Sequence, residues 1–173
     1  MHLMNVLWKR FLKQKEERGD NPLIVHISCK EQIKEIAYVE SEMEQILIDN
    51  FMPGPFTLIL KKKECIPSVV SAGLNTVGIR MPQNKIAQEL IKMANVPIAA
   101  PSANISGRPS GTRIEDIKEE LGEKVSAIID AGNTNIGLES TVVKVIERNT
   151  NYIKTRKSNI RRYYKSCWKS KCK

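Results

Sequence analysis

Five short polar side chains that bond well to anions and nucleotides, Ser102, Asn104, Ser106, Ser110 and Thr112, fall within eleven residues of one stretch. Pro101 and Pro109 fix the backbone there, and Gly107 and Gly111 free it. Such a loop can surround an anion with backbone N–H groups and hydroxyls. The same composition also makes an ordinary polar connection, so by itself the stretch does not choose between the two. Arg80 is a second candidate, because it closes the apolar run Thr76-Val77-Gly78-Ile79-Arg80 and a buried guanidinium needs a partner. That partner is either an internal carboxylate or a phosphate, whose geometry suits the guanidinium fork. His26, inside Leu23-Ile24-Val25-His26-Ile27, reads on its own as a satisfied core residue. Lys61-Lys62-Lys63 at a strand exit reads as a solvated edge.

Other chemistries lack their motifs. There is no G-x-x-x-x-G-K-[ST] loop and no G-x-G-x-x-G fingerprint, so any nucleotide site is of another kind. There is no nucleophile elbow, and His2 and His26 cannot make a metal cluster, so no metal site is expected. Cys29, Cys65, Cys167 and Cys172 show neither a disulfide framework nor zinc-ligand spacing and read as reduced thiols.

The elements that must carry these residues follow from periodicity. Apolar runs predict strands at 23–27, 56–60, 76–81, 96–100, 125–130 and 140–145. Helical spacing predicts a helix from Lys30, a second after the capping box Ser41/Glu44, and a short turn over Pro67–Ala72. Another helix is expected after Asn84, with Ile86, Leu90, Ile91 and Met93 facing inward, and one from the Thr112/Glu115 box to about Leu121. Strands and helices alternate without a strict period, which gives an α/β fold with a mixed, twisted open sheet and flanking helices in a single domain. With 173 residues and 41% hydrophobic content but only 5% aromatics, one core is expected, built from Ile, Val, Leu and Met.

The net charge of +9 is unevenly spread: from Arg148 to Lys173 there are ten Lys or Arg and no acid, so the rest is near neutral. That block is expected to be an extended basic tail, 148–173, able to bind nucleic acid weakly through phosphate neutralisation. Leu3, Met4, Leu7, Trp8, Phe11 and Leu12 share one helical face, so residues 1–20 are expected to form an amphipathic helix docking on the domain at 21–147. No apolar run is long enough for a membrane span and no signal peptide is visible, so a soluble cytoplasmic protein without membrane contact is expected.

Five segments in order carry a family likeness: Asn21–Ile27, Pro53–Leu60, Val77–Pro82, Ala100–Gly107 with its Ala-Pro-Ser-Ala-Asn-Ile-Ser-Gly, and Glu139-Ser140-Thr141-Val142-Val143. Over roughly residues 15 to 146 the chain resembles the YrdC/Sua5 family of threonylcarbamoyl-AMP synthases. The resemblance implies a YrdC-like sheet, and an enzyme that joins L-threonine, bicarbonate and ATP, with Mg2+ on the phosphates, for the t6A modification of tRNA. It assigns Lys15, Arg18, Thr76, Arg80, Asn104 and Thr112 to ATP, and His26, Ser102 and Ser140 to threonine. It also admits tRNA, double-stranded RNA and t6A-pathway proteins as partners. The chain departs from the pattern at both ends. The family's Pro-Thr-Glu-Thr-x-Tyr-Gly-Leu segment has no counterpart, Glu17 stands where an Arg belongs with Arg18 one place late, and Lys154 replaces an Arg. An RNA-binding module without catalysis, or an inactive partial chain, are the alternatives that these departures leave open.

Overall fold

The computed structural model describes residues 21–105, 111, 113–132, 140–148 and 150–155, without the side chains of residues 147–155. Among these residues seven strands form one mixed sheet: β1 (Ile24–His26), β2 (Ala37–Tyr38), β3 (Phe56–Lys62), β4 (Thr76–Arg80), β5 (Ile98–Ala100), β6 (Thr141–Arg148) and β7 (Thr150–Thr155). Their order is β5-β1-β4-β3-β6-β7, with β2 paired to β3. β1 is parallel to β4 and β3 to β6, while the β1–β5, β3–β4 and β6–β7 pairs are antiparallel. Among the described residues five helices connect the strands: α1 (Glu31–Ile36), α2 (Glu42–Phe51), α3 (Ser68–Ser71), α4 (Lys85–Ala94) and α5 (Ile114–Leu121).

The pleat sends successive residues to opposite faces, and the register aligns one face into an apolar layer. Val25 pairs with Ile79, Ile79 with Leu58, and Leu58 with Val143, making one aliphatic row across four strands. Ile33 and Ile36 of α1, Leu47 and Ile48 of α2, and Met52 pack against that layer, together with Leu60, Val77 and Phe56. Leu58 and Ile79 have no exposed surface. Helix ends are set locally: Ser41 Oγ accepts from Glu44 N at 3.2 Å, and Glu44 Oε2 accepts from Ser41 N at 3.1 Å, closing the expected capping box. Asn84 Oδ1 accepts from Ala87 N at 3.0 Å and starts α4 as expected.

Four expectations are corrected. Residues 125–130 form no strand: β7 takes the position beside β6, and Val125 and Ile128 line a cavity instead. The tail boundary at 148 falls inside the sheet, since β6 and β7 form a hairpin in which Arg148 pairs with Thr150. Thr150 to Thr155 contains Thr, Tyr and Ile, residues suited to a strand, and this local preference prevails over the basic charge around it. On α4 only Ile91 is buried, whereas Ile86, Leu90 and the 83% exposed Met93 form an outward stripe. Helical spacing fixes which residues share a stripe, not which stripe meets the core. Finally, α5 is capped at Arg113 without a side-chain bond, and Thr112 lies outside the described residues.

Candidate active site

The other face of the same strands bears the chemistry. His26 pairs in register with Arg80 of β4 on one side and with Ile98 of β5 on the other. His26 Nδ1 and Arg80 Nε are both buried, and neither has a hydrogen-bond partner among the described residues. A buried donor or acceptor left open costs about 1–3 kcal/mol, so two on adjacent strands are expensive unless something else bonds to them. None of the ion pairs among the described residues involves Arg80. Of the two partners open to Arg80 from its sequence, an internal carboxylate therefore finds no support among these residues.

Burial, and then the positive charge of Arg80, hold the His26 pKa below its ordinary 6.5. Backbone groups at Ile98 and Ile24 oppose this in part without satisfying Nδ1. The imidazole is therefore neutral at neutral pH and can both donate and accept. Burial also lowers the Arg80 pKa from its ordinary value, but a guanidinium stays charged. A neutral imidazole beside a desolvated cation with no ion-pair partner among the described residues is suited to an anionic or zwitterionic ligand.

One residue beyond the Leu58–Ile79 pair, on this open face, stand Thr57 and Arg80. Thr57 is 1% exposed, and its Oγ1 lies 2.9 Å from Ser140 Oγ, just before β6. Thr76 lies on the same face of β4, at the end where Lys61 pairs with it. The sheet thus gathers His26, Arg80, Thr57 and Ser140 toward one end and Thr76 toward the other.

The central loop is a separate part. β5 leaves the sheet at Ala100, opposite Ile24, and so leads away from the His26 level. Asn104 is buried, and its Nδ2 donates to Ile105 O at 3.0 Å. Ile105 N donates to Glu120 Oε2 of α5 at 3.2 Å, which ties the loop to that helix. Ser102 borders a cavity of about 450 Å³ walled by Ile114, Ile117 and Leu121 of α5 and by Val125 and Ile128. His26, Arg80, Thr76, Asn104 and Ser140 do not line this cavity. Its largely apolar wall lacks the paired polar groups of the sheet site, so the chemistry is better read at His26 and Arg80.

Lys15, Arg18 and Thr112 lie outside the described residues. Thr57 and Glu120 were missed in the sequence. For Thr57 the signal exists, because a hydroxyl within Phe56-Thr57-Leu58-Ile59-Leu60 must find a partner just as Arg80 must. Glu120 carries no such signal, since acids are common on an exposed helix. Among the described residues no group of three or more His, Cys, Asp or Glu could hold a metal ion, and no helix is long and apolar enough to cross a membrane.

A mixed sheet with α1 and α2 packed on one face, and His26 and Arg80 side by side on the other, makes an α/β domain. The family model Sua5/YciO/YrdC, described as telomere recombination, matches residues 5–158, and the chain belongs to that family. The match takes in β7 and most of the segment before residue 20. The chain is 47% identical over 139 residues to the threonylcarbamoyl-AMP synthase of Pyrococcus abyssi, covering 80% of this chain and 41% of that protein. It is 43% identical over 136 residues to the enzyme of the same name from Bacillus subtilis, covering 78% and 39%. The chain thus spans about two fifths of the length of these relatives. The crystal structure of Pyrococcus abyssi Sua5 complexed with L-threonine superposes with a TM-score of 0.77 at 46% identity, over 82% of this chain and 42% of that one. Escherichia coli YciO, at 22% identity and a TM-score of 0.72 over 87% and 73%, shares the fold.

Proposed function

We propose that the open face of the sheet is the site of an ATP-dependent threonylcarbamoyl-AMP synthase. The observation that carries this reading is the buried Arg80 Nε, left without a partner among the described residues, beside His26 Nδ1. It is supported by the names of the relatives and by the L-threonine bound to the Pyrococcus abyssi neighbour. In this reaction the threonine amine adds to the carbon of bicarbonate, with loss of water, to give a carbamate. A carbamate oxygen then attacks the α-phosphate of ATP, and pyrophosphate leaves.

The residues divide between the two substrates. Arg80 offers a fixed positive charge to the nucleotide phosphates, with Thr76 on the same face, and Asn104 and Thr112 belong to the loop side of the nucleotide. Lys15 and Arg18 add further positive charge in this reading. His26, Ser140 and Ser102 serve threonine; the neutral imidazole can bond its carboxylate or hydroxyl without adding charge. The work of these groups is positioning and charge neutralisation, and burial strengthens both. Mg2+ comes with ATP as the counterion of its phosphates. The product serves t6A formation on tRNA in the cytoplasm, with tRNA and the proteins of that modification as partners.

Incubation with ATP, bicarbonate and labelled L-threonine tests the reading. Pyrophosphate released only when threonine is present supports it. A well-folded chain that releases none and binds neither substrate by calorimetry overturns it.

A further inference from the structure

Thr57 is buried, yet it belongs to the open face rather than the core, and its neighbours on two strands set its rotamer. Its methyl lies toward Gly78, where an added Cβ would stand 3.2 Å from Thr57 Cγ2. Its hydroxyl lies 2.9 Å from Ser140 Oγ. A β-branched side chain has few χ1 choices, so a methyl seated on one strand aims the hydroxyl at the next. Ser140 precedes β6, where Thr141 N donates to Pro55 O at 2.9 Å, so its backbone is held as well. A lone serine hydroxyl turns freely; bonded to Thr57 it keeps one direction for donating or accepting.

We infer that Thr57 is a positioning residue for Ser140, fixing the hydroxyl that Ser140 offers to the amino acid substrate. The inference rests on the proposed synthase reading and adds a residue to it. The role is confined to the threonine side. Thr57 should leave nucleotide binding alone, because the residues read as ATP ligands reach the site without it.

The test compares Thr57→Val, which keeps the shape and removes the hydroxyl, with Thr57→Ser, which keeps the hydroxyl. Calorimetric Kd for L-threonine and for ATP, and the KM for threonine, are measured on the whole chain. Thr57→Val should weaken threonine binding roughly threefold to tenfold, as for one lost hydrogen bond, with kcat and ATP affinity within about twofold of the parent. Thr57→Ser should restore most of the affinity. In a Ser140→Ala background, Thr57→Val should have no further effect on threonine. Equal threonine affinity in a folded Thr57→Val protein, or equal losses for threonine and ATP, would overturn the inference and leave the synthase reading standing. A parent chain that binds no threonine overturns both. Should Thr57→Val not fold, the Thr57→Ser and Ser140→Ala pair still decides: a threonine Kd raised more by the serine variant than by Ser140→Ala counts against the inference.

Discussion

The two faces of the sheet are built by the same strands one residue out of step, and they obey different rules. On the covered face, Val25, Ile79, Leu58 and Val143 run in a row of aliphatic side chains under α1 and α2. On the open face, His26 and Arg80 hold buried polar atoms that nothing among the described residues satisfies. The first face gains from burial whatever its details, provided volume is conserved. The second gives up stability to keep two polar atoms available. A domain with a net stability of about 5–15 kcal/mol can carry that cost only if the covered face supplies a surplus.

The largest test of this contrast is Leu58→Ala on the covered face. Loss of a fully buried Leu should cost about 2–5 kcal/mol in urea unfolding and leave the ATP affinity of the folded protein unchanged. A loss below 1 kcal/mol would mean that the layer is not the source of stability. Arg80→Lys on the open face should do the reverse. ATP binding should weaken by about 1.5–3 kcal/mol, because an ammonium cannot reproduce the fork, while the melting temperature of the free protein stays near that of the parent. Arg80→Met should hold or raise that temperature, since an uncompensated charge leaves a half-buried position. Unfolding of Arg80→Met without ligand would expose a hidden carboxylate partner and erase the distinction between the faces.

The covered face was legible in the sequence because burial writes a period. Val25, Ile27, Val77, Ile79, Leu58 and Leu60 alternate within runs, and Ser41 with Glu44 marks a helix start by reciprocal bonding. On the open face the charge of Arg80 broke an apolar run and marked it, whereas His26 in a similar run read as a satisfied core residue although its Nδ1 has no partner among the described residues, and only the family likeness suggested ligands for the two. Thr57 obeys the same rule but is small and common in strands, so it drew no notice. What escaped altogether is tertiary. The stripe of α4 that turns outward, the use of 125–130 as a cavity wall and the pairing of β7 with β6 depend on which surfaces remain free once the sheet has assembled. No local pattern carries that information.

His26 gives a smaller effect with a defined sign. Its folded pKa lies below the 6.5 of the unfolded chain, from burial and then Arg80. Well above pH 6.5 the ring is neutral in both states and contributes no pH dependence. As pH falls below 6.5 the unfolded chain takes up the proton first, so stability should decline until the folded protein also protonates. His26→Gln should flatten the fall in melting temperature between about pH 7 and 5 relative to the parent. An unchanged slope would mean that His26 is more solvated than its open Nδ1 implies.

The smallest stability effect is expected where the two faces come closest to sharing a cause, at Gly78. This residue lies between the core residues Val77 and Ile79 and pairs with Ile24 and Ile59 on the open face. Its φ is not in the left-handed region, so alanine suits the backbone and should recover up to about 1 kcal/mol of the entropy that glycine loses in a strand. Against this, the new methyl would meet Thr57 Cγ2 at 3.2 Å and Ile24 Cγ1 at 3.7 Å. The Thr57 methyl must give by a few tenths of an ångström, and since its rotamer is stiff the displacement is passed to Oγ1 and the bond to Ser140. Gly78→Ala should therefore change the unfolding free energy by less than about 1 kcal/mol in either direction while weakening L-threonine binding. A melting curve and a threonine titration on the same sample separate the two. If threonine affinity held while stability fell, the glycine would serve packing alone, and the open face would be less exacting at Thr57 than its bond to Ser140 implies.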